Sequence, residues 1–293
     1  MPGFAEAVRE TLECDLESVE PAAGGDINRA WRIETAARES FFAKSRPAGS
    51  IIEFVNEAAG LRWLSEVGAL PVPEVIAVVE DPAEPGLILG WIEPGPPGDE
   101  AELGRGLALI HQAAADGFDR LPPGASGDEI RFGGAVLPLS PSRPAAAFAG
   151  IYAGRLRRLA ARAFEEGSLG SSDRDVIEQV ADRAPQLAGP REPPARIHGD
   201  LWSGNVLWSE GRPWLIDPAA HGAHRELDLA MLELFGNPGP DFYSAYEEVN
   251  PLADGYRERI GFWQLQPLLV HAVLFGGGYG RGAAVTARQC LGG

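Results

Sequence analysis

The run His198-Gly199-Asp200-Leu201-Trp202-Ser203-Gly204-Asn205 sets an aspartate five residues before an asparagine, and a second aspartate, Asp217, follows the apolar run Trp214-Leu215-Ile216. A carboxylate can take the proton of an attacking hydroxyl, while an amide oxygen and a second carboxylate offer hard oxygen donors to Mg2+. Transfer of a phosphoryl group from ATP asks for those groups: a base, here Asp200, and metal ligands, here Asn205 and Asp217. Asp and Asn are also common turn residues, so their spacing discriminates weakly by itself. Strand, Asp–Asn loop, strand and second Asp in that order discriminate well.

A cation for the phosphates is offered by composition before any motif. Of the 25 basic residues only Lys44 is lysine, and a compact ammonium on a flexible stem is different chemistry from a planar guanidinium. Lys44 ends a β-prone run in the first third of the chain, the place where such a site needs a cation for the α- and β-phosphates. Glu57 lies on the helix that follows and can pair with it; Glu53, one turn earlier on the same face, is the rival. Gly24-Gly25-Asp26-Ile27-Asn28 precedes the strand pair leading to Lys44, and is the turn in which backbone N–H groups can approach a nucleotide. Gly276-Gly277-Gly278 ends a helix, precedes no strand and reads as a cap. His111 and His271 fall within apolar helices as core or interface residues, and His221 and His224 lack a third ligand at metal spacing. Asp228, at the start of a helix, can brace the catalytic loop by hydrogen bonding.

The elements that must hold these residues read as two lobes. Residues 30–35 and 40–44 resemble a hairpin, Ser50 caps an amphipathic helix carrying Ile51, Phe54, Val55, Ala58, Leu61 and Leu64, and 75–79 and 87–92 are two further strands. An antiparallel sheet with one helix across it is the economical assembly for 1–92. The stretch Glu93-Pro94-Gly95-Pro96-Pro97-Gly98 breaks both regular structures, and 93–293 turns mainly helical, with helices over 102–115, 145–166, 173–187, 227–235, 240–249 and 255–275. Short strands at 195–198 and 214–217 end in the polar groups of the site. The Pro/Gly-rich stretches 122–144 and 185–194 read as surface loops.

Composition narrows the setting. The 293 residues are 45% hydrophobic, enough for a real core, and the formal charge of −17 would repel a phosphate backbone, which argues against nucleic acid as partner. Cys14 and Cys290 sit far apart with no zinc spacing, no apolar run is long enough to span a bilayer, and Glu6, Glu10, Glu13 and Asp15 occupy the place of a signal peptide's apolar stretch. The expectation is a cytoplasmic protein without a membrane anchor.

The catalytic run has the Asp-to-Asn spacing of the protein-kinase loop H-R-D-x-x-x-x-N. Together with Asp217-Pro218-Ala219, His224-Arg225-Glu226-Leu227-Asp228, Leu274-Phe275-Gly276, Gly24-Gly25, Lys44 and Glu57-x-x-Gly60-Leu61, it resembles the fructosamine (ketoamine) kinase family within the aminoglycoside-phosphotransferase-like kinases. The resemblance covers nearly the whole chain and implies an α+β, two-lobed protein-kinase-like fold. It implies ATP- and Mg2+-dependent phosphorylation of a sugar hydroxyl of a ketoamine, free or protein-bound. On it Asp200 is the base, Asn205 and Asp217 hold metal, Lys44 paired with Glu57 holds phosphate, Gly24 and Gly25 cover the nucleotide, and adenine lies against Gly90 and Ile92. Trp202 and His221, the latter where relatives carry tyrosine, fall on the acceptor side. Two other readings stand beside it: a kinase for an aminoglycoside or choline-like alcohol, and a non-catalytic nucleotide-binding scaffold.

Overall fold

Along 29–35, Trp31, Ile33 and Thr35 are buried while their neighbours are not, the two-residue period of a half-buried strand. The computed structural model describes residues 2–22, 28–132, 134–140 and 148–292. Within the first ninety residues, helix α1 (Pro2–Leu12) leads into β1 (Leu16–Pro21), β2 (Arg29–Thr35) and β3 (Ser40–Ser45); helix α2 (Ile51–Ser65) precedes β4 (Val75–Val79) and β5 (Gly86–Gly90). The strands form one antiparallel sheet in the order β1-β2-β3-β5-β4.

Strand parity decides what each face of that sheet carries. Ala43 and Ile88 are cross-strand partners and are buried against Phe4 and Val8 of α1. Lys44 and Leu87, the next pair along, face the other way, where Leu87 and Leu89 pack under Phe54, Ala58 and Leu61 of α2. The sheet therefore has a helix on each face, and Lys44 points at α2. The sequence reading found α2 and its Ser50 cap, whose side chain accepts from the Ile52 N–H at 3.3 Å. It missed α1 and β1.

Residues 91–99 carry neither helix nor strand. Beyond them come α3 (Glu100–Gln112), the hairpin β6 (Glu129–Phe132) and β7 (Ala135–Pro138), then α4 (Phe148–Glu165), α5 (Ser171–Asp182) and the single turn α6 (Ala184–Leu187). Short strands β8 (Ala195–Ile197), β9 (Val206–Ser209), β10 (Arg212–Leu215) and β11 (His221–Ala223) precede α7 (Glu226–Phe235), α8 (Pro240–Val249), α9 (Tyr256–Phe275) and α10 (Tyr279–Gly292). The main core of this part gathers Tyr152, Leu156, Ile177, Phe262 and Trp263 from α4, α5 and α9.

Three expectations change. The 122–144 stretch is not only loop: β6 and β7 pair, and Ile130, Phe132 and Leu137 are buried in the main core, an alternation too short to stand out among prolines and glycines. The helix expected over 173–187 is broken at Arg183 into α5 and α6. Helix α10 was not anticipated. Gly276 does cap α9, with φ 61° and its N–H on the Ala272 carbonyl.

Candidate active site

The antiparallel strand pair β8–β11 and the hairpin β9–β10 hold the loops that carry the polar groups. After β8 the chain turns at Gly199 with φ +84°, and a Cβ there would lie 2.2 Å from the Ala219 carbonyl oxygen, so only glycine lets the two loops touch. His198 stitches them. Its Nε2–H donates to the Ile216 carbonyl at 2.9 Å, and its Nδ1 accepts the Asp200 N–H at 3.3 Å. Burial holds the imidazole's pKa below the ordinary value, outweighing the Asp228 charge, so the neutral tautomer is the one present.

Asp228 is buried at the start of α7 and accepts the backbone N–H groups of His198 at 2.7 Å and Gly199 at 2.8 Å, with His111 Nε2 at 3.2 Å. His111 in turn takes the Tyr246 hydroxyl at 2.8 Å. Burial alone would raise the Asp228 carboxyl, but the hydrogen bond from His111 leads the interactions that hold it low. It braces the catalytic loop, as the sequence suggested, and His111 is a satisfied core histidine.

A single 3-10 turn, Ser203–Asn205, then brings Asn205 back against Asp200. Asn205 Nδ2 donates to the Asp200 backbone oxygen at 2.8 Å and to Oδ2 at 3.2 Å, which commits the amide nitrogen and leaves the carbonyl oxygen for a cation. Asp217 sits in the left-handed region at φ 55°, a conformation that costs a non-glycine residue about 1–2 kcal/mol. Its Oδ1 receives the Lys44 ammonium at 2.9 Å, and Glu57 Oε2 receives it at 2.5 Å. Glu53, the rival, pairs instead with Arg46 at 2.7 Å and Arg131 at 3.4 Å. Lys44 on β3 and Arg46 just beyond its end are two apart, and Glu53 and Glu57 are one turn apart on α2, so each cation meets its own carboxylate.

α2 reaches the Asp217 loop because position 60 has no side chain: a Cβ on Gly60 would lie 3.1 Å from Ala220 Cβ and 3.4 Å from Pro218 Cγ. The cluster that results is short of positive charge. Among the described residues, Lys44 is the one cation facing Glu57, Asp200 and Asp217, and Glu57 Oε1 is buried with no donor. Burial, helped by the Asp217 charge, pushes the Asp200 carboxyl up to about 7 and the Glu57 carboxyl up to about 7. Burial works against the Lys44 ammonium, but Asp217 and Glu57 outweigh it and keep the amine charged. Hard oxygen donors, spare negative charge and an orphaned buried carboxylate oxygen fit a divalent cation such as Mg2+, held by Asn205 and Asp217.

These groups line one cleft of about 880 Å3 between the sheet and the helical part. Lys44, Glu57, Gly90, Ile92, Asp200, Trp202, Asn205 and Asp217 all border it. Gly24, Gly25 and Asp26 lie outside the described residues. His221 is corrected: it is fully buried, its Nδ1–H on the Ala219 carbonyl at 2.8 Å, and it does not border the cleft. Its position in strand β11 opposite Ile197 points it into the core instead. The sequence reading did not find Arg131 or Phe132, which also border the cleft, because it took their hairpin for loop.

The sequence profile of fructosamine kinase matches residues 4–121 and 148–292. A probable ketoamine kinase of Enterococcus faecium is 33% identical over 276 residues, 92% of this chain and 95% of that protein. The crystal structure of a protein from Thermobifida fusca, described as a fructosamine-3-kinase, superimposes with a TM-score of 0.87 at 36% identity, covering 100% of both chains. A choline/ethanolamine kinase family protein from Mesorhizobium loti shares the fold, with a TM-score of 0.65 at 18% identity over 99% of this chain and 95% of that one.

Proposed function

Because the chain belongs to the fructosamine kinase family and is a phosphotransferase, we propose that it moves the γ-phosphoryl group of ATP to the 3-hydroxyl of a fructosamine or ribulosamine, free or protein-bound. That step would mark a glycated amine for repair. The observation that carries the reading is the convergence of Lys44, Asp200, Asn205 and Asp217 on one cleft, drawn from both parts of the chain. We divide the chain accordingly into a nucleotide-binding lobe, 1–92, and a catalytic and acceptor lobe, 93–293.

ATP with Mg2+ supplies an electrophilic phosphorus whose charge the metal partly neutralises. The residues do the rest by position. The Gly90 and Trp91 N–H groups are spent on the Glu74 and Ser40 carbonyls, which leaves the Ile92 N–H as the hinge donor for adenine. Lys44, fixed by Glu57, presents its ammonium to the phosphates. Asn205 and Asp217 present oxygen to the metal, and Asp200 accepts the proton of the acceptor hydroxyl as the new O–P bond forms. Trp202, two-fifths exposed, offers a flat face to the sugar or its amine.

The acceptor side is walled by Phe132, Met231, Val270, Leu274 and Phe275, and its Glu129 carboxylate is already paired with Arg131. Such a wall suits a ketoamine with an apolar amine better than a polycationic aminoglycoside, which needs several free carboxylates. ADP release with fructosamines, ribulosamines and aminoglycosides in parallel tests this. Turnover confined to ketoamines is the expected result, and turnover confined to aminoglycosides would remove the reading.

A further inference from the structure

Strand β6 carries adjacent residues that face different partners. Phe132 lines the part of the main cleft beside Asp200, the acceptor recess, together with Met231, Val270 and His271. Arg131, one residue back, instead meets α2: its Nη1 lies 3.4 Å from Glu53 Oε1. The other Glu53 oxygen takes Arg46 from beyond β3 at 2.7 Å, and Arg46 donates through Nε to Asn28 at 3.1 Å. Three residues along α2, Asn56 makes a two-point pairing with the Ser126 backbone, donating to its carbonyl at 2.9 Å and accepting its N–H at 2.7 Å. Four residues along, Glu57 holds Lys44.

One face of α2 is thus tied at Glu53 and Asn56 to the segment that leads into the acceptor recess, and at Glu57 to the phosphate lysine. The helix cannot turn or slide without moving both. A ketoamine seated against Phe132 fixes 126–132, and among the described residues the polar ties of that segment to α2 are those at Glu53 and Asn56.

We propose that Arg131 and Asn56 are positioning residues that couple occupancy of the acceptor recess to the placement of Lys44, so that acceptor and nucleotide strengthen each other's binding. The coupling is reciprocal by linkage. It rests on the reading of this cleft as an ATP and ketoamine site. A contact that only stabilised the fold would move the thermal midpoint and leave the coupling alone.

The test is calorimetric titration of the full chain with the Mg2+ complex of AMP-PNP, with and without saturating N-fructosylglycine. In the wild type the ketoamine is expected to tighten nucleotide binding by about fivefold or more, the lower end of ordinary coupling factors. In Arg131→Met the factor should fall below about twofold, with partial recovery in Arg131→Lys, while the affinity for nucleotide alone stays near wild type. Asn56→Ala reads the same loss from the other tie, should Arg131→Met fold poorly. Full coupling in both Arg131→Met and Asn56→Ala, or none in the wild type, overturns the inference and leaves the kinase reading standing. A wild type that binds neither ligand removes that reading, and the inference with it.

Discussion

Glu226 and Asp228, two residues apart at the start of α7, serve two charge clusters built on opposite plans. Both Glu226 oxygens are taken, by Arg259 at 2.6 and 2.8 Å and by the Trp263 indole N–H at 2.8 Å. Nearby, Glu192 forks onto Arg225 at 2.7 and 2.8 Å. Two carboxylates meet two guanidinium groups, so the charges balance, although the buried His224 Nε2 beside them has no hydrogen-bond partner. Glu192, His224 and Glu226 come within metal-ligating distance of one another, yet a cation there would have to displace both arginines. The cluster that Asp228 supports has one ammonium for three carboxylates, an orphaned oxygen and a strained aspartate. A saturated cluster holds helices together. An unsaturated one is completed by what it binds.

The contrast predicts opposite responses to removing one negative charge. Asp200→Asn should lower turnover by about a hundredfold to ten-thousandfold, the usual worth of a positioned base. Its thermal midpoint should stay level or rise, because a crowded carboxylate has gone. Glu226→Gln should leave Arg259 without its partner and cost about 3–5 kcal/mol of stability, while activity per folded molecule stays near wild type. Denaturant titration and ADP release on both variants check this. A stable Glu226→Gln together with an unfolded Asp200→Asn would reverse the assignment of the two clusters.

A smaller effect tests the missing positive charge directly. Mg2+ with a nucleotide analogue at a hundred times its dissociation constant should stabilise the wild type by about 2.7 kcal/mol. Asp217→Asn, which removes one oxygen and the negative charge that faces both Lys44 and the metal, should lose most of that gain, as should wild type with chelator added. Equal stabilisation of both proteins, read from thermal melts, would place the metal elsewhere.

How much of this was legible follows from where the information lies. Asp200, Asn205, Asp217 and Lys44 could be singled out because each is defined by residue type at a short spacing or by rarity, and the structure brings all four to one cleft. The choice between Glu53 and Glu57 could not be made, since both lie on the same helix face; strand parity at Lys44 and Arg46 settles it, and parity needs the register. The β6–β7 hairpin was hidden by its length, four residues a strand, and its pairing partner is visible only after folding. His221 was misplaced for a related reason. A histidine four residues after Asp217 looks exposed until β11 pairs with β8 and turns the ring inward. Ion pairs such as Asp119 with Arg155 at 2.5 Å, or Glu226 with Arg259, join residues more than thirty apart and leave no local signature.

The mildest change tests the geometry between the clusters rather than their charge. Gly60 lies inside α2, where alanine would ordinarily gain about 0.5–1 kcal/mol from helix propensity. At this position the new methyl meets Ala220 Cβ at 3.1 Å and Pro218 Cγ at 3.4 Å, so the Asp217 loop or the helix must give by a few tenths of an ångström. The propensity gain and the contact cost are of the same size, and net stability should move by less than about 1 kcal/mol. Activity has no such compensation, because the displacement falls on the line from Glu57 through Lys44 to Asp217. Gly60→Ala should therefore fold as well as wild type while kcat/KM falls by roughly tenfold, in keeping with the sensitivity of catalysis to small misplacements. Saturated clusters tolerate such a shift, so an alanine at an equally tight contact away from the cleft should leave kcat/KM alone. Unchanged kcat/KM in Gly60→Ala would mean that the unsaturated cluster is looser than its distances say, and that α2 need not sit where Gly60 lets it.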